Sequence, residues 1–218
     1  AQGNQIVGNY IGLTADGQGS YGNQEYGIRL DNPLESVSGS AERTLISGNV
    51  IADNASGGIY LGAKAYKVDV LDNVIGLAAD GETARANLGD GITVKTGEGS
   101  PPFPFPPNLV PSEIVIEGNT VAHNTGSGVS VENDYTFDVR IVENRIFGNT
   151  GLGIDLKGDG VTPNDPGDTG NGPNSLMNYP QLSSVNVVDG KIRIAGSISN
   201  ADPASGGPWP WITSWLRP

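Results

Sequence analysis

Residues Val139 to Leu156 read VRIVENRIFGNTGLGIDL and contain one complete copy of the pattern from which the fold follows. Its apolar residues stand two apart within short segments, as at Val139 and Ile141 and again at Ile154 and Leu156. That period is typical of strands and cannot form a helical stripe. Asn or Gly stands wherever two segments meet, and these residues favour sharp turns. The stretch therefore predicts three short strands joined by corners, which make one coil of a solenoid.

The same phrase occurs five times along the chain. In each copy an Asn is followed two residues later by Ile or Val, and further on by a Gly that opens a strand. The pairs are Asn9 with Gly27, Asn49 with Gly58, Asn73 with Gly91, Asn119 with Gly128 and Asn144 with Gly153. The Asn-to-Gly gaps are 18, 9, 18, 9 and 9 residues, so two copies carry an insertion of nine. This repeat predicts parallel coils stacked about 4.8 Å apart.

Stacking in register predicts columns of equivalent side chains along the solenoid axis. Three apolar columns are expected to form the core: Ile6, Ile46, Val70, Ile116 and Ile141; Ile11, Ile51, Ile75, Val121 and Ile146; Ile28, Ile59, Ile92, Val129 and Ile154. The five Asn residues of the phrase predict an asparagine ladder at the first corner. A second ladder is expected from the short copies, at Asn54, Asn124 and Asn149. Such amide ladders stabilise in-register stacks and satisfy backbone groups at buried corners.

These repeats resemble the right-handed, single-stranded parallel β-helix of the pectin-lyase-like superfamily. The run GNTGLGIDLKGDGVTPNDPGDTG, Gly148 to Gly170, resembles the closing segment of bacterial extracellular β-helix repeat proteins. The resemblance covers residues 4–183 and implies an all-β solenoid of five to seven coils, secreted or on the surface of a bacterium. It implies no particular reaction, because the superfamily contains lyases, hydrolases, esterases, adhesins and phage fibres.

The domain organisation expected from the sequence has three parts. Residues 1–183 form the β-helix, and residues 184–200 form its last coil or the start of a following β domain. The tail 201–218, with three Trp and four Pro, reads as a remnant of truncation or cloning, or as an aromatic carbohydrate-binding or capping segment. The chain opens inside a coil, which reads as the start of a mature or cut fragment. Uncapped solenoid ends make end-to-end self-association possible.

Composition narrows the function classes. The formal charge of −12 argues against nucleic acid as a partner, since phosphates would be repelled. The sequence has no stretch of 18 apolar residues, so membrane insertion is not expected. There is no cysteine and one histidine, His123, which leaves no thiol chemistry and argues against a zinc site. No cofactor is required by these features.

The outward positions of the third strand form the polar face, where loops on both edges predict a groove suited to a polymer. Glu132 and Asp155 lie on adjacent coils, offset by two positions, at a diagonal of about 7–8 Å. That separation suits an inverting glycoside hydrolase, with Asp31 further along the face. A lyase using Lys95 or Lys157 as base is the weaker alternative. The expected substrate-binding residues are Arg29, Tyr60, Lys95, Lys157, Phe103 and Phe105.

The loop after Asp155 is rich in oxygen ligands, which predicts a structural calcium site at Asp159, Asp165 and Asp168. A loop of hydrogen-bonded Asx turns explains the same residues without a metal. For the whole chain, two functions stay open. One is an extracellular carbohydrate-active protein that binds a polysaccharide and hydrolyses its glycosidic bonds. The other is a non-catalytic repeat segment of a bacterial surface protein or adhesin.

Overall fold

The computed structural model describes residues 3–30, 43–62, 65–95, 111–134 and 136–197, and the backbone of residues 212–213. Fifteen short strands form five coils, each with three strands, and their equivalents pair in parallel to give three sheets. The protein is therefore a parallel β-helix, as the sequence predicts.

The strands of each sheet come from successive coils. The first sheet contains β1 (Gln5–Val7), β4 (Thr44–Ser47), β7 (Tyr66–Leu71), β10 (Ser112–Glu117) and β13 (Val139–Val142). The second contains β2 (Tyr10–Ile11), β5 (Val50–Ile51), β8 (Val74–Ile75), β11 (Thr120–Ala122) and β14 (Arg145–Phe147). The third contains β3 (Tyr26–Leu30), β6 (Gly57–Leu61), β9 (Ile92–Lys95), β12 (Val129–Glu132) and β15 (Ile154–Leu156).

The register confirms the three predicted core columns. Ile46 pairs with Ile6 and Val70, Ile51 with Ile11 and Ile75, and Ile59 with Ile28 and Ile92. The remaining members continue the same columns through the fourth and fifth coils. Ile46, Ile51 and Ile59 are fully buried, so the core is a stack of β-branched side chains at the centre of the coils.

The asparagine ladder at the first corner is confirmed. Each side-chain Nδ2 donates to the Oδ1 of the next coil at 2.9 to 3.0 Å, through Asn9, Asn49, Asn73, Asn119 and Asn144. The second ladder is longer than the sequence analysis predicted. It includes Asn23 and Asn87 of the two inserted copies as well as Asn54, Asn124 and Asn149, with Nδ2 to Oδ1 distances of 2.8 to 3.0 Å.

The position of the insertions explains why Asn23 and Asn87 belong to the second ladder. Each nine-residue insertion leaves the coil directly after the second strand and folds into a small hairpin, with bridges between Leu13 and Ser20 and between Leu77 and Ala84. The Arg85 amide then donates to the Gly76 carbonyl at 2.9 Å, so the insertion ends where it began. The chain therefore re-enters the second corner in register, and Asn87 takes the place that Asn124 takes in an uninserted coil.

A column of glycines lets the second and third sheets approach closely. A Cβ atom at Gly91 would lie 2.7 Å from the Gly128 carbonyl oxygen and closer still to the Val121 side chain. Gly27, Gly58 and Gly128 meet the same obstacles, a β-branched side chain and the next glycine's carbonyl. In the first four coils, the glycine that opens the third strand is thus required by space.

A loop and a hairpin follow the fifth coil. Asn174, in the 3₁₀ helix Pro173–Leu176, accepts from the Val139 amide at 3.1 Å and donates to its carbonyl at 2.7 Å. Beyond it, β16 (Gln181–Val188) and β17 (Lys191–Ser197) pair antiparallel rather than as a further parallel coil, and every residue of both is exposed. The backbone of β18 (Ile212–Thr213) extends the first sheet beside β13. The domain boundaries expected from the sequence, after residues 183 and 200, stay a prediction.

Candidate functional site

The outward positions of the third sheet form one continuous column. Arg29 pairs with Tyr60, Tyr60 with Thr93, Thr93 with Ser130 and Ser130 with Asp155. Two positions further along the strands, Glu132 pairs with Lys95, and the Lys157 amide donates to the carbonyl of Val131. The structure therefore places the described candidates on one face, in the register that the sequence predicts.

The middle of this column is more enclosed than the sequence suggests. Thr93, Ser130 and Asp155 are 5, 2 and 6% exposed, although their side chains point away from the core. Arg29 and Lys157 are exposed, and Tyr60, Lys95 and Glu132 are half-buried. The accessible groups of the face therefore lie at its two ends and along the edge that carries Lys95 and Glu132.

Two tyrosines stand together at the first-coil end of the face. The rings of Tyr26 and Tyr60 lie 4.9 Å apart at an angle of 38°, and the Arg29 guanidinium lies 5.2 Å from the Tyr60 ring centroid. Gly57 makes room for this pair, because a Cβ there would lie 3.0 Å from the Tyr26 ring and 2.9 Å from the Asp90 carbonyl oxygen. Tyr26 was not among the sequence candidates, since it precedes the glycine that marks each third strand.

Asp90 is the carboxylate that sequence reasoning missed. It precedes Gly91, and its side chain turns back along the face, accepting hydrogen bonds from the Ser127 amide at 2.7 Å and the Thr93 hydroxyl at 3.2 Å. Burial raises the pKa of Asp90, and the charges of Glu132 and Asp155 raise it further against those two hydrogen bonds. A comparison of the residues before each strand glycine could have identified it, because Asp90 is the only acidic one.

Glu132 is held in place by two neighbours. Its Oε2 lies 2.8 Å from Lys95 Nζ, and its Oε1 accepts from the Ser130 hydroxyl at 3.2 Å. Ser130 is the direct neighbour of Thr93, which donates to Asp90. The carboxylates of Asp90 and Glu132 therefore flank one pair of hydroxyl residues on adjacent strands. Their charges also reach Tyr26, whose pKa is raised by burial and then by Asp90 and Glu132.

Asp155 is bound by its own loop. Its two carboxylate oxygens accept from the amides of Gly158 and Gly160, both at 3.2 Å. The neighbouring Lys157 lies 3.6 Å from Asp159, and both side chains are at least half exposed. Asp155 thus adds negative charge beside Asp90 and Glu132, while its oxygens already have donors.

The expected calcium ligands lie in hydrogen-bonded turns. Asp165 accepts from the Thr169 amide and hydroxyl, both at 2.8 Å, and the Thr169 hydroxyl bond lowers its pKa most strongly. Asp168 accepts from the Asn178 amide at 2.8 Å, and Asp159 lies beside Lys157. Over the described ranges, no three His, Asp or Glu side chains group closely enough to hold a metal ion. Calcium binding by these residues stays a prediction.

Several candidates lie outside the described residues. Asp31 is one, as are Phe103 and Phe105. The same holds for most of the two long loops, residues 32–43 and 96–112, that the sequence predicts at one edge of the groove. Their contribution to the site stays a prediction. Within the part of the chain that the structure describes, no helix has the length and apolar character needed to span a membrane.

Comparison with known proteins does not assign the chain to a family. No family model matches the chain, and searches of curated proteins and of solved structures found no match. The parallel β-helix with its asparagine ladders is thus described from its own geometry.

Proposed function

We propose that this chain binds a polysaccharide along its third sheet and hydrolyses glycosidic bonds there, as a secreted or surface-attached bacterial protein. The observation that carries the proposal is the arrangement on one face of the tyrosine pair Tyr26 and Tyr60 with the carboxylates of Asp90 and Glu132. Aromatic rings stack on sugar rings, and a long sheet face matches the shape of a polymer.

The two carboxylates have environments suited to different roles. The pKa of Asp90 is raised by burial, which favours the protonated form that a general acid needs. Glu132 is paired with Lys95 at 2.8 Å and is less enclosed than Asp155, which suits it to act as general base.

In the proposed reaction, Asp90 donates its proton to the glycosidic oxygen as the bond between that oxygen and the anomeric carbon breaks. Glu132 takes a proton from the water that forms the new bond to that carbon. Inverting enzymes use such a pair with about 6.5–9.5 Å between the carboxyl groups. Asp155 is the partner predicted for Glu132 from sequence. It stays a candidate for the general acid, although its oxygens accept hydrogen bonds from two loop amides.

The test is release of reducing ends from a panel of plant and microbial polysaccharides. Asp90→Asn and Glu132→Gln are each expected to lower the rate at least about a hundredfold, the usual contribution of a general acid or base. Glu117→Gln is the matched control, because Glu117 forms an exposed ion pair with Arg140 on the first sheet. Asp155→Asn shows which acid acts. Full activity in Asp90→Asn and Glu132→Gln would remove the pair from consideration.

A second function is favoured by the burial of the central column. Thr93, Ser130 and Asp155 are at most 6% exposed, as expected of side chains that join coils of a non-catalytic repeat segment. An adhesin or spacer of this type binds without turnover. Polysaccharide binding with no release of reducing ends from any substrate would favour it over the hydrolase.

A further inference from the structure

The charges around the tyrosine pair bear on the kind of polysaccharide, and this inference rests on the proposed function. Among the residues that the structure describes, three cations lie on the third-sheet face, and each faces a carboxylate. Arg29 Nη1 lies 3.1 Å from Glu25, Lys95 Nζ 2.8 Å from Glu132, and Lys157 Nζ 3.6 Å from Asp159. A uronate would have to compete with these carboxylates for the three cations.

Further negative charge surrounds these pairs. Asp90 and Asp155 add two carboxylates, so among the described residues of the face five acidic groups stand against three basic ones. With a formal charge of −12 on the whole chain, an acidic polymer is repelled at both long and short range.

A cationic polymer is also disfavoured. The carboxylates of the face have donors of their own: Asp90 accepts from Ser127 and Thr93, Asp155 from two loop amides, and Glu132 from Lys95 and Ser130. A protonated amino sugar would displace these donors and would lie beside Arg29 and Lys95. The net negative charge attracts a polycation at long range, but at contact each of these carboxylates already has a donor or a cation beside it.

We infer that the ligand of this face is a neutral polysaccharide, bound by stacking on Tyr60 and Tyr26 and by hydroxyl hydrogen bonds to the charged groups. Sugar hydroxyls both donate and accept, so a neutral chain can contact cations and carboxylates in turn without breaking an ion pair. The half-buried tyrosine pair supplies the apolar contact at one end of the face.

The experiment is affinity electrophoresis of the full chain through gels containing one soluble polymer each. Hydroxyethylcellulose, soluble starch and arabinoxylan are the neutral probes, polygalacturonate is the acidic probe and chitosan the cationic one. Retardation by at least one neutral polymer is expected, unchanged when NaCl rises from about 50 mM to about 500 mM, since screening weakens only charge contacts. Retardation by polygalacturonate or chitosan alone overturns the inference and leaves the proposed function standing.

Variants locate the binding on the face. Tyr60→Ala is expected to weaken binding about tenfold, while Tyr60→Phe retains it because the ring remains. Tyr21→Ala is the control, since Tyr21 is 80% exposed on the first insertion. A melting curve of each variant separates lost binding from lost folding. Equal retardation of Tyr60→Ala and wild type overturns the inference, and retardation by no polymer overturns the proposed function itself.

Discussion

At the scale of single residues, the buried asparagines connect the coils most directly. Asn73 is 1% exposed and donates from Nδ2 to Asn119 and to the Ile46 carbonyl, both at 2.9 Å. Its Oδ1 accepts from the backbone and side-chain nitrogens of Asn49 at 3.0 and 2.9 Å. One side chain thus satisfies polar groups on the coil before and the coil after its own, which no apolar residue can do.

The first prediction follows from these bonds. Asn73→Ala leaves two N–H groups of Asn49, one backbone and one side-chain, without their acceptor and removes one donor from the Ile46 carbonyl, so we expect a loss of about 3–5 kcal/mol in the free energy of unfolding. Asn9→Ala is the matched change at the exposed end of the ladder, with an expected loss of about 1 kcal/mol or less. Urea unfolding of both variants measures the difference. Equal losses would show that burial of the ladder does not matter.

Asp90 and Asp80 are aspartates with opposite pKa shifts. Burial raises the pKa of Asp90, so its contribution to stability is present at low pH and is lost as pH rises through the raised value. The hydroxyl of Thr83 and the amides of Glu82 and Thr83 lower the pKa of exposed Asp80. Its contribution is present above its usual pKa and is lost as pH falls through the lowered value.

The second prediction uses this contrast. Asp90→Asn is expected to raise the melting temperature at pH 7, because it removes a partly buried charge, and the gain shrinks as pH falls and wild-type Asp90 becomes protonated. Asp80→Asn is expected to lower the melting temperature at pH 7, and its deficit also shrinks toward acid pH. Melting curves between about pH 3 and pH 8 check both signs. A pH-independent effect of Asp90→Asn would contradict the raised pKa.

At the scale of secondary-structure elements, the entry to the third strand sets the distance between two sheets. Gly91 has no room for a Cβ against Val121 and the Gly128 carbonyl, whereas a Cβ at Gly153 would meet only Ile146, at 3.8 Å. The two glycines occupy equivalent positions in the repeat. They differ because Gly153 opens β15, and within the described part of the chain no strand of the third sheet lies beyond β15.

The third prediction compares these two sites. Gly91→Ala is expected to cost about 2–3 kcal/mol through overpacking. Gly153→Ala is expected to change stability by about 0.5 kcal/mol or less, since the added methyl has ordinary contact distances. Chemical denaturation of the two variants provides the measurement. A similar loss in both would mean that the repeat motif, rather than close packing, requires the glycine.

At the scale of the whole molecule, the strand register of each coil depends on that of the coil before it. The insertions are tolerated because they preserve this register. Deleting residues 77–85 joins Gly76 to Ala86 and leaves Asn87 at the spacing of Asn124 in an uninserted coil. The fourth prediction is that this variant keeps the β-helix, with some loss of stability because Leu77 and Ala78 are buried.

Deleting one residue more, 77–86, is the control for that prediction. The shortened corner cannot place both Ile75 and Asn87 in their columns, and a slip of one residue turns every following side chain to the opposite face. We expect a melting temperature at least several degrees below that of the nine-residue deletion, measured by circular dichroism. Equal melting temperatures would contradict the claim that insertion length preserves register.

Much of this architecture could be predicted from sequence, because the same spacing of apolar residues, Asn and Gly occurs in five copies. The core columns follow from Ile and Val at fixed spacing, and the first ladder from Asn at one position of each phrase. The second ladder was predicted only in part, because Asn23 and Asn87 stand nine residues late and only the closure of each insertion shows that they return to the corner.

By itself, the sequence determined the parallel β-helix, its register and the residues that share each face, because these depend on local period and repetition. The contacts between side chains on the third sheet became apparent only from the folded arrangement of the coils. Tyr26 turns toward Tyr60 because Gly57 leaves space, and Asp90 turns toward Thr93 through bonds to another coil. Such contacts depend on the room left by neighbours one coil away, which the spacing of a single phrase does not encode.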